Sequence, residues 1–216
     1  MSKIKIPTMV VGDSGSGKSS SFRNLPPGKT VVLNTERKVL PFREFSKFKN
    51  ININKYKDYV KVIKELKSDE KYDFVVIDSL TSLLEICNKY CETVYSGYNI
   101  WSEYNSMVYS ILQDIKDLPQ QVFITAIPEH FDDGQGSVKA FAKTKGKEFK
   151  YSMEKEFAIV LHTHLEEDDD GSISAYQLDT RPSKHTSSKS PSGMFDERYI
   201  DNDMMLVTGA IDAYYS

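Results

Sequence analysis

Eight consecutive residues, Gly12-Asp13-Ser14-Gly15-Ser16-Gly17-Lys18-Ser19, spell the G-x-x-x-x-G-K-S pattern of a phosphate-binding loop. The chemistry follows from the residue types. Glycines let the backbone curl so that successive N–H groups face phosphate oxygens. The lysine ammonium reaches the β and γ phosphates, and the closing serine offers its hydroxyl to Mg²⁺. Gly12 to Ser19, with Ser20 beside them, are therefore the candidate nucleotide contacts, and ATP and Mg²⁺ the expected cofactors. An apolar stretch, Ile4 to Val11, runs into the loop and helix-compatible residues follow it, which is the setting the motif needs. A helix starting near Gly17 would add its positive end to the anion site.

Two carboxylates could complete such a site. Asp78 ends the run Phe74-Val75-Val76-Ile77 and precedes Ser79. At the carboxyl end of a buried parallel strand, where α/β sheets collect ligands, it can share the Mg²⁺ shell with Ser19. An Asp there can also cap the next helix; the phosphate loop upstream favours the metal. Glu36 follows Val31-Val32-Leu33-Asn34-Thr35. By position it serves equally to orient or deprotonate an attacking water, or to complement a helix dipole on the surface. Cys87 and Cys91, among Leu80, Leu83, Leu84 and Val94, read as small core residues. His162 and His164 share a strand face at period two but have no third ligand near in sequence.

Positioning these groups requires a sheet. Strands are expected at Lys5–Val11, Lys29–Asn34, Phe74–Asp78, Val122–Ile127 and Glu156–His164, with a short edge strand at Ile51–Ile53. Helices are expected after the phosphate loop and at Tyr59–Lys67, Ser79–Val94, Ser102–Leu118 and Met205–Tyr214. Strands alternating with helices imply an α/β fold with a mainly parallel central sheet covered on both faces. Glu166-Glu167-Asp168-Asp169-Asp170-Gly171-Ser172 reads as the solvated tip of a C-terminal β-hairpin. The whole of 1–216 is expected to be a single domain.

Two segments read as loops. Residues 128–150 hold Gly134, Gly136 and Gly146 and form a long, basic, mobile loop on this reading. Lys139, Lys143, Lys145, Lys147 and Lys150 interleave there with Phe141 and Phe149. Lysines bind backbone phosphates and an aromatic stacks on an unpaired base, although a lysine-rich solvated loop has the same composition. Residues 181–195 are rich in Lys, Ser and Pro. Trp101, in the link Tyr95–Trp101, reads as a packed turn in preference to a stacking platform or subunit contact.

The phosphate loop, the strand ending in Thr35-Glu36, and Val75-Val76-Ile77-Asp78-Ser79 together resemble the RecA/Rad ATPase core. Lys189-Ser190-Pro191-Ser192-Gly193-Met194-Phe195 and Ile200-Asp201-Asn202-Asp203 resemble the compact phage RecA-like ATPases, including single-strand annealing recombinases of the Sak type. The resemblance implies a RecA-like P-loop NTPase core and makes Glu36 the catalytic base beside Lys18. It implies that Lys189, or Lys184 or Arg181, acts in trans on a neighbouring subunit's γ phosphate. By its place after the fourth strand, the basic loop becomes the single-stranded DNA site. Partners implied are single-stranded DNA, a homo-oligomer (ring or filament) and a single-strand binding protein. One departure stands out: Ala126 and Ile127 occupy the place of the family's sensor Gln, and Thr125, Glu129 or His130 are the candidates to substitute for it, none matching residue for residue.

Composition sets limits. A net charge of −3 over 216 residues excludes a uniformly basic nucleic-acid coat. There is no run of 18 apolar residues, so no membrane partner is expected, and the expected location is the cytoplasm of an infected or lysogenic bacterial host. Two other classes compete: a binding module switched by nucleotide for a protein partner, and a small-molecule P-loop kinase. The kinase needs a lid with clustered arginines, whereas Arg23, Arg37, Arg43, Arg181 and Arg198 are scattered.

Overall fold

The computed structural model describes residues 4–132, 134 and 136–216. Six parallel strands make the centre: β1 (Thr8–Val11), β2 (Thr30–Asn34), β3 (Lys49–Asn52), β4 (Phe74–Asp78), β5 (Gln121–Ala126) and β8 (Ile159–Glu167). Two antiparallel strands, β9 (Ile173–Asp179) and β10 (Tyr199–Asp201), extend one edge, giving the order β10-β9-β8-β1-β5-β4-β2-β3. The strand at the other edge, β3, is short and mostly exposed. β8 and β9 form the expected hairpin, whose acidic tip closes with Gly171 at positive φ.

Near-continuous apolar runs make strands buried on both sides. Within β4, Val75 and Ile77 face one core while Phe74 and Val76 face the other; in β5, Val122 and Ile124 oppose Phe123. Helices α1 (Tyr56–Leu66), α2 (Leu80–Val94) and α3 (Asn99–Asp117) cover the first face. In α3 the buried residues Tyr104, Val108, Ile111, Leu112 and Ile115 follow helical spacing, so one stripe meets the sheet. The second face differs from expectation. Among the described residues only α4 (Met204–Tyr214) is an α-helix there, and Phe22, Leu25, Leu40, Phe48, Met194 and Phe195 from outside it fill the rest.

The expected helix after the phosphate loop is a single 3₁₀ turn, Ser19–Phe22. The Ser21 hydroxyl donates to the Lys18 carbonyl at 2.6 Å, and Pro26-Pro27 blocks continuation. The loop's amides therefore have no α-helix dipole behind them.

Residues 128–150 do not form one long loop. They contain a hairpin, β6 (Pro128–Asp132) paired with β7 (Val138–Ala142), and Phe149 is fully buried against Tyr109. Val138, Ala140 and Ala142 alternate with Lys139, Phe141 and Lys143, a strand period hidden by the lysines. Residues 181–195 are also tied down. Lys189 exchanges both backbone hydrogen bonds with Val160 at 2.8 Å, the Ala140 N–H donates to the His185 carbonyl, and Ser188 is buried.

Candidate nucleotide site

β1 delivers the phosphate loop between β5 and β8. Gly15 and Gly17 both take positive φ, which side chains disfavour. A Cβ on Gly17 would also meet the Asn202 amide at 2.6 Å and the Tyr176 ring at 2.9 Å. Neighbours hold the loop in shape: Thr163 donates its hydroxyl to Ser16 Oγ at 2.8 Å, and the Asn202 amide donates to the Gly17 carbonyl at 2.8 Å. Lys18 lies buried with its ammonium donating to the Asp13 carbonyl at 2.6 Å.

β4 brings the carboxylate. The Ser19 hydroxyl donates to Asp78 Oδ2 at 2.8 Å, and the Thr125 hydroxyl to Asp78 Oδ1 at 2.5 Å. The register pairs Ile77 with Ile124, so Thr125 stands beside Asp78 on the next strand. The Asp78–Ser79 peptide is cis. Thr35 clasps this junction, donating to the Ser79 carbonyl at 2.8 Å and accepting from the Ser79 N–H at 2.7 Å. Ser79 in turn donates its hydroxyl to Glu36 Oε1 at 2.9 Å and caps α2 by accepting from the Ser82 N–H. Lys38 holds the other Glu36 oxygen at 2.7 Å.

These groups converge on one cavity of about 290 Å³, lined by Gly15, Gly17, Lys18, Ser19, Glu36 and Asp78, with Tyr176 and Ile127 at its margins. Burial lowers the Lys18 ammonium against the opposing pull of Asp78, Glu36 and Asp13. Burial likewise raises the Asp78 carboxyl, more than the bonds from Thr125 and Ser19 lower it. At Glu36 burial acts upward, but the bonds from Lys38 and Ser79 and the nearby ammoniums outweigh it, and the carboxyl lies below its ordinary value. Glu36 is therefore ionised at neutral pH. A hydroxyl and a carboxylate meeting as hard oxygen donors suit Mg²⁺, which takes few protein ligands and completes its shell with phosphate and water.

The profile of the AAA_24 family, described as an AAA domain, matches residues 4–192. The chain belongs to the AAA_24 family. An AAA_24 domain is a nucleotide-binding module of the P-loop ATPase kind, in accord with the parallel sheet and the site above. The matched span holds every lining residue of the cavity, whereas Asn202 lies beyond it. Among solved structures, the crystal structure of the RadB recombinase is similar over 81% of this chain and 87% of its own, at 19% identity and a TM-score of 0.48. No curated protein matches.

The other sequence-predicted residues of this AAA_24 domain are dispersed. Gly12 packs where a Cβ would strike Thr163 and Ser16, and Ser14 and Ser20 line the cavity rim. Lys184, Lys189 and Arg181 do not line it. Arg181 instead donates to the Phe195 and Asp196 carbonyls, closing its own loop. Lys189 is half-buried, and burial lowers its ammonium despite the Glu154 and Glu156 charges. Lys139 lies over the Phe141 ring at 5.5 Å and Lys150 over Tyr151 at 4.9 Å. Phe131, Phe141 and Tyr151 form one aromatic cluster, with ring centroids 5.0 and 5.5 Å apart across Tyr151. Lys143, Lys145 and Lys147 are exposed, the last two on the turn that passes Trp101 at Gly146. Trp101 itself stands edge-on to Tyr104 and stays half-exposed.

His162 bonds Ser187 and His164 stacks on Tyr199; among the described residues no group of three His, Cys, Asp or Glu could hold a metal. No helix among them is long and apolar enough to cross a membrane. The contacts of Thr125, Thr35, Lys38 and Asn202 were not foreseen: Thr125 stood only as a candidate substitute for the sensor Gln, Thr35 and Asn202 only within motif stretches, and Lys38 not at all.

Proposed function

We propose that this AAA_24 domain binds and hydrolyses ATP with Mg²⁺ as a RecA-like recombination protein of the phage Sak type. On this reading it assembles with copies of itself, as a ring or filament, and binds single-stranded DNA to promote annealing or strand pairing. The observation that carries it is the convergence of Lys18, Ser19, Asp78 and Glu36 on one cavity. Lys18 would leave the Asp13 carbonyl to bind the β and γ phosphates, and Ser19 and Asp78 would hold Mg²⁺, which when bound would supply charge neutralisation at the phosphates. The ionised Glu36 orients the attacking water and accepts its proton as the γ-phosphoryl group departs; a positioned base of this kind contributes roughly 10²–10⁴-fold. Lys184 and Lys189 lie outside the chain's own phosphate cavity, so any γ phosphate they touch is a neighbour's. The cation-capped cluster of Phe131, Phe141 and Tyr151 supports the strand-binding role, since unpaired bases stack on such faces.

Phosphate release from Mg-ATP, with and without single-stranded DNA, tests the reading. Lys18→Ala should reduce turnover to background. Glu36→Gln should lower it by about 10²-fold or more while a fluorescent ATP analogue still binds. Full turnover in either variant would refute the assignment.

A further inference from the structure

Beyond the Glu36 side of the phosphate cavity lies a second, larger one of about 850 Å³. Glu36, Lys38 and Ile127 line both. Its walls come from the turn after β2, the start of α1, the exposed side of α2 and the end of β7. Six cations line it, Arg37, Lys38, Lys55, Lys57, Lys89 and Lys143, against two carboxylates, Glu36 and Glu85. On a chain of net charge −3 such a concentration is a local feature. Tyr56 and Tyr90 lie in the same wall with their rings 5.6 Å apart, offering aromatic faces among the cations.

The cavity continues a surface already described. Lys139, Phe141 and Lys143 point to one side of β7 by strand alternation, and β6 places Phe131 opposite Lys139 and Glu129 opposite Phe141. Lys143 ends that row and enters the cavity wall, where its N–H bonds the Ile127 carbonyl at 2.8 Å. Cations at intervals with aromatic rings between them are the chemistry that tracks a phosphodiester backbone and stacks its bases.

We propose that a single strand of DNA runs along the outward face of β7, past Lys143, into this cavity, and that Lys38 reports its presence to Glu36. The proposal rests on the strand-binding reading above and adds the path and the regulation. The Glu36 carboxylate holds Lys38 at 2.7 Å. A phosphodiester beside Lys38 competes for the same ammonium. Glu36 then keeps only the Ser79 bond and turns a freed oxygen toward water at the γ phosphate. Lys38 thus acts as a positioning residue, coupling strand to hydrolysis.

Fluorescence anisotropy with a labelled oligodeoxythymidine of about 20 nucleotides tests the path. Lys55→Glu, Lys57→Glu and Lys89→Glu combined should weaken binding at least tenfold and reduce the slope of log K against log salt by about 2, three contacts at roughly 0.7 each. Unchanged affinity and slope in the triple variant, with the wild type binding normally, overturns the path but leaves the strand-binding reading standing. A wild type that binds no strand overturns both. Photocrosslinking of the unaltered protein to an iododeoxyuridine strand gives a reading that needs no variant: adducts should map to Tyr56 or Tyr90, and adducts confined to the β6–β7 hairpin overturn the path. Transfer of the γ phosphate to a small acceptor bound in the cavity would do the same, in favour of a kinase. For the coupling, Lys38→Ala should raise unstimulated turnover to the strand-stimulated level and abolish further stimulation. Stimulation that persists in Lys38→Ala overturns that link.

Discussion

Acidifying the solution from pH 7.5 to pH 5 should cost this fold about 2 kcal/mol through one residue, His162. The imidazole is 3% exposed and lies in β8, level with Val11 where the phosphate loop begins. Its Nε2 lies 3.0 Å from Ser187 Oγ, and Ser187 gives its only hydroxyl proton to Glu154 Oε1 at 3.1 Å. Nε2 must therefore be the donor, leaving Nδ1 bare, and charging the ring means adding a proton at Nδ1 inside the core. Burial lowers the His162 pKa from 6.5 to about 4; Asp179 pulls the other way, and Lys139 and His130 add slightly to the lowering. Above the unfolded pKa both states are neutral and the stability is intact. Between about 6.5 and 4 the unfolded chain takes up a proton that the folded chain refuses, so stability falls with pH. At 1.36 kcal/mol per pKa unit the full loss is roughly 3 kcal/mol, of which about 2 is spent by pH 5. Urea unfolding at both pH values, for wild type and His162→Gln, isolates the effect, because the fixed cost of the substitution cancels. The wild type should lose about 2 kcal/mol more than the variant. Equal losses would refute the argument.

Two further outcomes follow from the walls of the phosphate site. Asn202→Ala removes the bond to the Gly17 carbonyl, worth about 1 kcal/mol; titration with a fluorescent ATP analogue should show affinity about fivefold weaker with the fold intact. Thr125→Val leaves the buried Asp78 with one donor fewer and should cost roughly 1–3 kcal/mol in urea unfolding, with a higher Mg²⁺ requirement for turnover.

The phosphate loop, Asp78 and Glu36 were legible because their chemistry is written in contiguous residues, each closing or following an apolar run. That the central strands run parallel was legible from their alternation with helices, but their order was not: β4 and β5 stand between β2 and the phosphate-loop strand β1. Thr125 was visible only as a candidate substitute for the sensor Gln, not as a partner of Asp78. Its bond to Asp78 depends on the β4–β5 register, which no local spacing states. Helix periodicity was over-extended after Ser19, where three serines and Pro26-Pro27 favour a turn. The β6–β7 hairpin was hidden because lysines on its outward face look like a charge run, although Ala140 and Ala142 mark its buried side. Asn202 stood in the Ile200-Asp201-Asn202-Asp203 stretch with no contact assigned to it, since its partner is 185 residues away.

That separation has a consequence in time. At roughly 5–20 residues per second, about 10–40 s pass on the ribosome between synthesis of Gly17 and of Asn202. Throughout that interval the nascent chain carries a phosphate loop without the strut that holds the Gly17 carbonyl, and without the Asn202 carbonyl that receives Arg23. A chain released or cut just before Asn202 would have every residue of the motif and the Thr163 hold on Ser16, but no strut on the Gly17 carbonyl. The strut on the Gly17 carbonyl is thus the last part of the loop's frame to be made, after Thr163 and its hold on Ser16.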